Sequence, residues 1–242
     1  MTAFLHLDNI SKVYGHGVGQ VIALQPTNVT IDRGQMVAIT GPSGSGKSTV
    51  MHILGFLDTP TTGIVRLEGK GISRKLGRPL ASIRNREIGF IFQSFNLLPK
   101  LNILSNVMLP LLYAGKRSRE RKRLALEALE TVGLADRVTH RPSELSGGQC
   151  QRAAIARALV TKPRILLADE PTGNLDSQTG RSILRLFWDL HQSGQTIVLV
   201  THDNTVANVA TRRIVLRDGS IQEDSLQKGG LPKDLAPKPV SP

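Results

Sequence analysis

The chain is poor in cysteine, aromatic residues and acidic residues, and it has no long apolar run. Its single cysteine, Cys150, excludes an internal disulfide and fits a reducing cytoplasm. No stretch of about 18 residues is continuously apolar, so the sequence predicts no membrane-spanning helix. Its first residues also lack the basic-then-apolar pattern that is typical of a signal peptide.

The shortage of acidic residues leaves a large positive charge. Lysine and arginine together number 31 against 19 aspartates and glutamates, which gives a formal net charge of +12. Such a surplus suits nucleic acid, anionic lipid headgroups or a phosphorylated ligand, and the charge alone does not choose among them.

Apolar β-like runs alternate with helical patterns from residue 36 to residue 217, which predicts an α/β domain with a parallel sheet. Short β-like runs at 4–10, 21–24 and 28–31 precede it and are expected to form N-terminal antiparallel strands. Residues 94–160 read as almost entirely helical, so we expect an α-helical subdomain inserted into the sheet domain. Residues 1–226 would form one domain, and the proline-rich residues 227–242 a flexible tail.

A glycine-rich loop between a predicted strand and a predicted helix matches the phosphate-binding pattern G-x-x-x-x-G-K-[ST]. Its glycines let backbone N–H groups surround phosphate oxygens, and the following helix N-terminus adds a positive dipole. In such loops the lysine reaches the β and γ phosphates and the next hydroxyl binds Mg²⁺. The pattern of a P-loop NTPase therefore predicts nucleotide binding by Gly41, Pro42, Ser43, Gly44, Ser45, Gly46, Lys47, Ser48 and Thr49.

Two carboxylates end a later apolar run. Asp169 closes the predicted strand and is placed to hold Mg²⁺, and Glu170 follows it directly. A carboxylate one residue beyond the strand can polarise an attacking water, so the pair predicts hydrolysis as well as nucleotide binding.

A second glycine-rich segment, Leu-Ser-Gly-Gly-Gln at residues 145–149, stands before another predicted helix. Physically it is a second anion site at a helix N-terminus, able to meet a γ-phosphate. Here the chain resembles the ABC ATPase family, whose signature is this pentapeptide. The resemblance implies that Ser146, Gly147, Gly148 and Gln149 of one subunit close over the ATP held by another, giving a homodimer with two composite sites.

The resemblance also implies roles for residues outside these two loops. Gln93 corresponds to a glutamine that touches Mg²⁺ and the attacking water, Asp176 lies in a loop that crosses the dimer interface, and His202 corresponds to a histidine on the γ-phosphate. Tyr14 stands where the family has an aromatic that stacks on adenine, and stacking tolerates different bases. No Asn-Lys-x-Asp guanine-reading motif occurs, which favours ATP. The implied catalytic residues are Glu170, His202 and Gln93, and the implied Mg²⁺ ligands are Ser48, Gln93 and Asp169.

Further motifs at residues 54–58 and 171–176 make the chain similar to bacterial ATPases of lipoprotein-releasing and macrolide-exporting systems. This implies a peripheral subunit on the cytoplasmic face of the inner membrane that drives a separate integral membrane permease, for export or extraction. An ATPase that regulates a membrane protein complex without moving a substrate is the alternative. Nucleic acid is not expected as a partner, because the chain holds a single cassette with about 50 residues between Gln93 and Leu145.

Two surfaces remain open to interpretation. Residues 90–115 carry one charge, Lys100, and begin at the strand before Gln93. We therefore expect Phe95, Leu97 and Leu98 to help form a groove for a cytoplasmic helix of the permease, although some must serve the subdomain core. The basic segment 116–123 is either a solvated helix start or a site of attraction to anionic lipid.

Overall fold

The computed structural model describes residues 4–72 and 80–231. The strands are β1 Leu5–Tyr14, β2 Val21–Ile31, β3 Met36–Thr40, β4 Thr62–Leu67, β5 Lys70–Ile72, β6 Ile88–Ile91, β7 Ile165–Asp169, β8 Thr196–Val200, β9 Arg212–Arg217 and β10 Ser220–Leu226. The helices are α1 Lys47–Leu54, α2 Leu80–Glu87, α3 Ile103–Tyr113, α4 Ser118–Thr131, α5 Gly147–Leu159, α6 Ser177–Gln192 and α7 Asn204–Ala207.

The central sheet has the order β10-β9-β3-β8-β7-β6, and all its strands are parallel except the edge strand β10. Every residue of β3 and β8 is buried, as expected for parallel strands covered on both faces. Alternate side chains enter two separate cores: Met36 and Ala38 face one, Val37 and Ile39 the other. The predicted α/β class is confirmed.

A second sheet, with the order β2-β1-β4-β5, is antiparallel and contains the predicted N-terminal strands. The strand β4 lies within residues 36–217, from which a parallel sheet was predicted, but it pairs with β1 in the antiparallel sheet. A tight turn at Glu68-Gly69 sends the chain straight back into β5, and such a hairpin can only form antiparallel pairs. The two runs predicted at 21–24 and 28–31 form one strand, because Pro26 lies at a register shift that tolerates its missing N–H.

The helices α3, α4 and α5 form the predicted insertion between the neighbouring parallel strands β6 and β7. Their apolar side chains join the core on one face of the central sheet. None of the helices within residues 4–72 and 80–231 is long and apolar enough to cross a membrane.

The start of the predicted flexible tail is held to the domain. The side chain of Gln227 donates hydrogen bonds to the carbonyl oxygens of Ala207 and Ala210, at 2.7 and 2.8 Å, and the Gly230 N–H donates to Val209. Residues 227–230 were predicted to be flexible, whereas these hydrogen bonds hold them to the domain. A side-chain amide can satisfy loop carbonyl groups that have no partner in a helix or sheet. Residues 232–242 of the predicted tail lie outside the described residues.

Candidate functional site

The parallel strands β3, β7 and β8 place the predicted site residues at one edge of the sheet. Each strand leads into a predicted site segment: β3 into residues 41–49, β7 into Glu170, and β8, through Thr201, into His202. The carboxyl ends of neighbouring parallel strands lie side by side, which is where open α/β sheets bind ligands.

The phosphate loop has the backbone that its glycines allow. Gly41, Gly44 and Gly46 have φ values of +148°, +78° and +100°, a region that disfavours other residues. The turn between β9 and β10 braces the loop, because the Gly219 N–H donates to the Ser45 carbonyl at 3.1 Å. The loop then ends at α1, which begins at Lys47 as predicted.

We expect Gly41→Ala to unfold the loop locally. A Cβ atom there would lie 2.1 Å from the carbonyl oxygen of Leu216 and 2.7 Å from the Ser45 hydroxyl, so backbone would have to move. The clash and the positive φ together should lower the free energy of unfolding by about 3 kcal/mol. Urea denaturation without nucleotide measures this, and ATP binding should be lost as well.

Gly44→Ala is the matched control, since Gly44 also has a positive φ but a Cβ atom there meets nothing within 4 Å. It should cost only about 1 kcal/mol of conformational strain. Equal losses in the two variants would show that the contact with Leu216 does not matter.

The polar groups of the loop are arranged for an anion. The Lys47 amine donates to the carbonyl oxygens of Gly41 and Pro42, at 2.9 and 2.8 Å, so it lies folded over the cradle. The Ser45 hydroxyl is buried without a hydrogen-bond partner, which is costly unless a ligand supplies one. A polyphosphate fits both observations, since its oxygens can accept from the amine, the hydroxyl and the loop N–H groups.

Asp169 and Glu170 are adjacent carboxylates with different surroundings. Burial raises the pKa of Asp169, the Glu170 charge raises it further, and the nearby His52 and Lys47 oppose both effects. Among the described residues no donor hydrogen-bonds the Asp169 carboxylate. A divalent cation fits there, because it would compensate two close negative charges that the chain itself leaves only partly balanced.

Glu170, in contrast, is fully engaged by the end of β8. The Thr201 hydroxyl donates to its Oε2 at 3.0 Å, while the His202 N–H donates to Oε1 at 3.1 Å and His202 Nδ1 lies 2.6 Å from the same oxygen. The Glu170 backbone has a φ of +43°, which is unusual for a residue with a side chain. The carboxylate is thus aimed and fixed, whereas the ring of His202 is 72% exposed.

Gln93 pairs with a neighbouring loop. Its side-chain amide donates to Asn174 Oδ1 at 3.2 Å, and Asn174 returns a bond of 3.1 Å to the Gln93 carbonyl. The side chain lies flat on Gly173, where a Cβ atom would approach its Nε2 to 2.6 Å. Gln93 therefore contacts the loop that contains Asp176 directly, while Asp176 itself uses its carboxylate to cap α6.

The second glycine-rich segment opens α5 with a capping box. The Ser146 hydroxyl accepts from the Gln149 N–H at 3.3 Å, and the Gln149 side chain accepts from the Ser146 N–H at 3.0 Å. Gly147 lies against Leu175, and Gly148 faces Thr179 so closely that a Cβ atom would be 2.3 Å away. These neighbours differ from those of the phosphate loop, so within one chain the two glycine-rich segments have separate surroundings.

Tyr14 lies beside the phosphate loop helix. Its hydroxyl donates to Asp58 at 2.8 Å, and Thr49 in α1 is a second hydrogen-bonding neighbour. The Lys12 amine stands 4.8 Å from the ring centre, and the residue is 41% exposed. An exposed ring next to α1 is compatible with stacking on a base.

Four residues of this region were not predicted. Thr201 and Asn174 bind Glu170 and Gln93 as described above. Gln151 is fully buried in α5 and donates to the Pro171 carbonyl at 2.6 Å, immediately after Glu170. Arg157, also in α5, donates to the carbonyl oxygens of Phe95 and Asn96, both of which have positive φ. The one sequence signal for Gln151 and Arg157 is their position in the helix that begins at the glycine-rich segment 145–149.

A groove of about 950 Å³ opens next to β6, between α2, the end of α3 and α5. Phe90 and Phe92 stack in parallel along it, with ring centres 5.7 Å apart, and Pro110 and Tyr113 add apolar surface. Arg84, Arg86 and Arg157 also line the groove, so it is not charge-poor. Its lining includes none of the three predicted side chains: Leu97 packs on the core, Phe95 lies near Gly147, and Leu98 is 47% exposed elsewhere. Contact of these three with a permease stays a prediction.

Comparison with known proteins agrees with this geometry. The family model of the ABC transporter matches residues 24–173. An uncharacterized ABC transporter ATP-binding protein of Thermotoga maritima is 53% identical over 92% of this chain and 95% of its own length. The ABC transporter ATP-binding protein YvrO of Bacillus subtilis is 52% identical over 91% of this chain and 96% of its own length.

A longer relative combines an ATP-binding part and a permease part in one chain. The macrolide export ATP-binding/permease protein MacB of Chlorobaculum tepidum is 50% identical over 91% of this chain, which spans 34% of that protein. Among solved structures, a dimeric bacterial ABC transporter cassette has a TM-score of 0.82 at 43% identity, covering 93% of this chain and 99% of that one. Its post-hydrolysis state bound to ADP and Pi matches equally well.

The phosphate loop, the carboxylate that ends β7, the capped signature helix and the agreement over the whole cassette lead to one conclusion. This chain belongs to the ABC transporter family, as an ATP-binding subunit that hydrolyses ATP.

Proposed function

We propose that two copies of this chain close on ATP and thereby drive a separate integral membrane permease that exports or extracts its substrate. The observation that carries the proposal is the groove beside β6, because the same strand leads from the groove lining to Gln93. A relative in which a similar cassette and a permease form one chain supports it.

In the proposed site, Lys47 and the backbone N–H groups of residues 43–49 hold the phosphates, and Tyr14 stacks on the base. Mg²⁺, held by Ser48, Asp169 and Gln93, would neutralise phosphate charge when bound. Glu170 accepts the proton of the attacking water. Its carboxylate is held in a fixed orientation by the hydrogen bonds with Thr201 and His202. His202, with its exposed ring, is then placed to meet charge that develops on the γ-phosphate.

The dimer supplies the remaining contact. Ser146 and the first N–H groups of α5 form a positive helix end that would face the γ-phosphate of the partner copy. Two such contacts, one in each direction, give an isologous dimer held together by two ATP molecules. Hydrolysis breaks the bond between the β and γ phosphates and forms ADP and phosphate; release of the phosphate removes the bridging charge, and the dimer opens. Solved dimers of a similar cassette support this arrangement.

Transmission to the permease runs through β6. Gln93 contacts the site and hydrogen-bonds Asn174, while Phe90 and Phe92, which line the groove, lie three residues and one residue before Gln93. We propose that a cytoplasmic helix of the permease occupies this groove, which places the subunit at the cytoplasmic face of the inner membrane. No nucleic-acid partner is part of the proposal.

The variant Tyr113→Cys should form a crosslink, through a thiol-reactive crosslinker, to a permease that is co-expressed from a neighbouring gene. Tyr113 lines the groove and is 80% exposed, whereas the natural Cys150 is buried and should not react. The matched control is Leu226→Cys, which is 81% exposed but lies in β10, at the opposite edge of the central sheet. We expect an adduct from position 113 and none from position 226, read by gel shift with and without ATP.

Failure of position 113 to crosslink in every nucleotide state would count against docking in this groove. The regulatory alternative is tested separately, by reconstituting the complex in vesicles. Stimulation of ATP hydrolysis by a transported substrate is expected for a transporter, and a regulator would show stimulation by the membrane protein alone.

A further inference from the structure

The basic segment that follows α3 and forms the start of α4 has features that the cassette itself does not explain. Residues 116–123 contain six lysines and arginines and one glutamate. All residues from 112 to 119 are exposed, so the segment forms a continuous exposed surface.

Part of this charge is used internally. Lys116 pairs with Glu120 at 2.9 Å, Arg123 pairs with Glu127 at 2.5 Å, and Arg121 donates to the Lys116 carbonyl. The side chains of Arg117, Arg119 and Lys122 make no hydrogen bond or ion pair with any residue that the structure describes. Three cations therefore remain for a partner outside the chain.

The stability of α4 does not account for these cations. Arg117 and Arg119 lie at the N-terminal end of the helix, where the helix dipole is positive and favours acidic residues, and Lys122 follows in the second turn. Arg117 occupies the N-cap position and forms no side-chain cap, although Ser, Thr, Asp or Asn there would stabilise the helix. The charge thus costs the helix stability, which points to an anionic partner.

Two exposed apolar side chains stand immediately before the cations. Leu112 is 52% exposed and Tyr113 is 80% exposed. A tyrosine and a leucine next to several basic residues are typical of segments that rest on a bilayer, with the rings at headgroup depth and the cations on anionic phosphates. Tyr113 also lines the proposed permease groove, so the segment is continuous with the surface that would face the membrane protein.

We propose that residues 112–123 form a contact with the anionic phospholipid headgroups of the bilayer that contains the permease. The inference rests on the proposed function for its orientation, since the groove defines which face is turned to the membrane. The cations would hold the cassette close to the membrane surface while the groove is occupied.

Vesicle co-sedimentation of the full chain tests the contact without any permease. The chain should bind vesicles that contain phosphatidylglycerol and should not bind phosphatidylcholine alone. The triple variant Arg117→Gln, Arg119→Gln, Lys122→Gln should lose about 100-fold in partition onto the anionic vesicles, because each basic residue near an anionic surface strengthens binding about fivefold. Its thermal midpoint should stay equal or rise, since the helix N-terminus loses unfavourable charge.

The control variant Lys70→Gln, Lys162→Gln, Lys228→Gln changes the same charge at exposed positions elsewhere. It should bind like the wild type, and an equal loss would show that only the overall charge matters and overturn the proposal. Unchanged binding by the first variant would overturn it as well.

Reconstitution with the permease in phosphatidylcholine separates the remaining possibilities. Stimulation of hydrolysis should be the same for the wild type and the basic-segment variant there. A loss confined to the variant would mean that the segment binds an acidic region of the permease and not lipid. Absence of stimulation in the wild type would count against the proposed function, while the vesicle result would still decide the lipid contact.

Discussion

Glu170→Gln should abolish turnover while leaving ATP binding intact. The substitution keeps the size of the side chain, but an amide cannot accept the proton of the attacking water. Loss of a general base costs about 10²- to 10⁴-fold in rate. The phosphate cradle of residues 41–49 does not include this side chain, so ATP should still bind.

The surroundings of Glu170 predict that the variant folds normally. The Thr201 hydroxyl accepts from the Asp203 N–H at 3.0 Å and can also accept from a glutamine amide. The glutamine oxygen can then keep both bonds from His202. With the proton acceptor gone and the bonds kept, the variant should accumulate as an ATP-bound dimer.

Phosphate release measures the loss of turnover, and gel filtration with ATP measures the accumulation of the dimer. Glu223→Gln is the control, because it removes the same charge at an exposed position in β10. Hydrolysis by Glu170→Gln near the wild-type rate would remove Glu170 from the mechanism.

Local patterns predicted the elements around the site well. The strand β3, the loop and the start of α1 at Lys47 follow from a buried apolar run, glycines and a following helical pattern. The start of α6 at Ser177 likewise follows from Asp176, whose carboxylate accepts from the N–H groups of Gln178 and Thr179.

Elements that depend on distant partners were missed. The helix α2 buries only Ile83 and is rich in arginine and asparagine, so it lacks the apolar periodicity that identifies a helix. The place of β4 in the antiparallel sheet depends on β1, more than 50 residues earlier. Pairing over that distance leaves no local signal in either strand.

Contacts between distant residues were also missed within the site. Glu170 and Gln93 were predicted from their motifs, but the side chains that hold them were not. Thr201 lies 31 residues from Glu170, and Asn174 lies 81 residues from Gln93. These contacts exist only after β7 and β8 pair and the helical insertion folds back on the sheet.

Mixing two inactive variants should restore ATP hydrolysis if the site is composite. Lys47→Ala removes the cation of the phosphate cradle, and Ser146→Asp places a negative charge where the signature would meet the γ-phosphate. Each homodimer should lose about 100-fold or more in hydrolysis, the size of effect seen when one group that stabilises transition-state charge is removed.

The choice of aspartate keeps the fold while removing the function. Aspartate is as good an N-cap as serine, so α5 should still begin at residue 147. Ser146→Asn is the matched control, since asparagine also caps the helix but carries no charge. It should retain far more activity than the aspartate variant, and this difference isolates the electrostatic effect from the capping effect.

In a mixed dimer the defects fall on the same site. The chain with Ser146→Asp supplies an intact Lys47, and the chain with Lys47→Ala supplies an intact Ser146, so one composite site is complete and the other carries both changes. Equal mixing makes half of the dimers mixed, and one working site in each should return roughly a quarter of the wild-type rate if the sites act independently. Phosphate release measured against mixing ratio should peak near equal amounts. A rate that stays at the sum of the two separate variants would mean that each chain completes its own site, and the dimer held together by ATP would have to be abandoned.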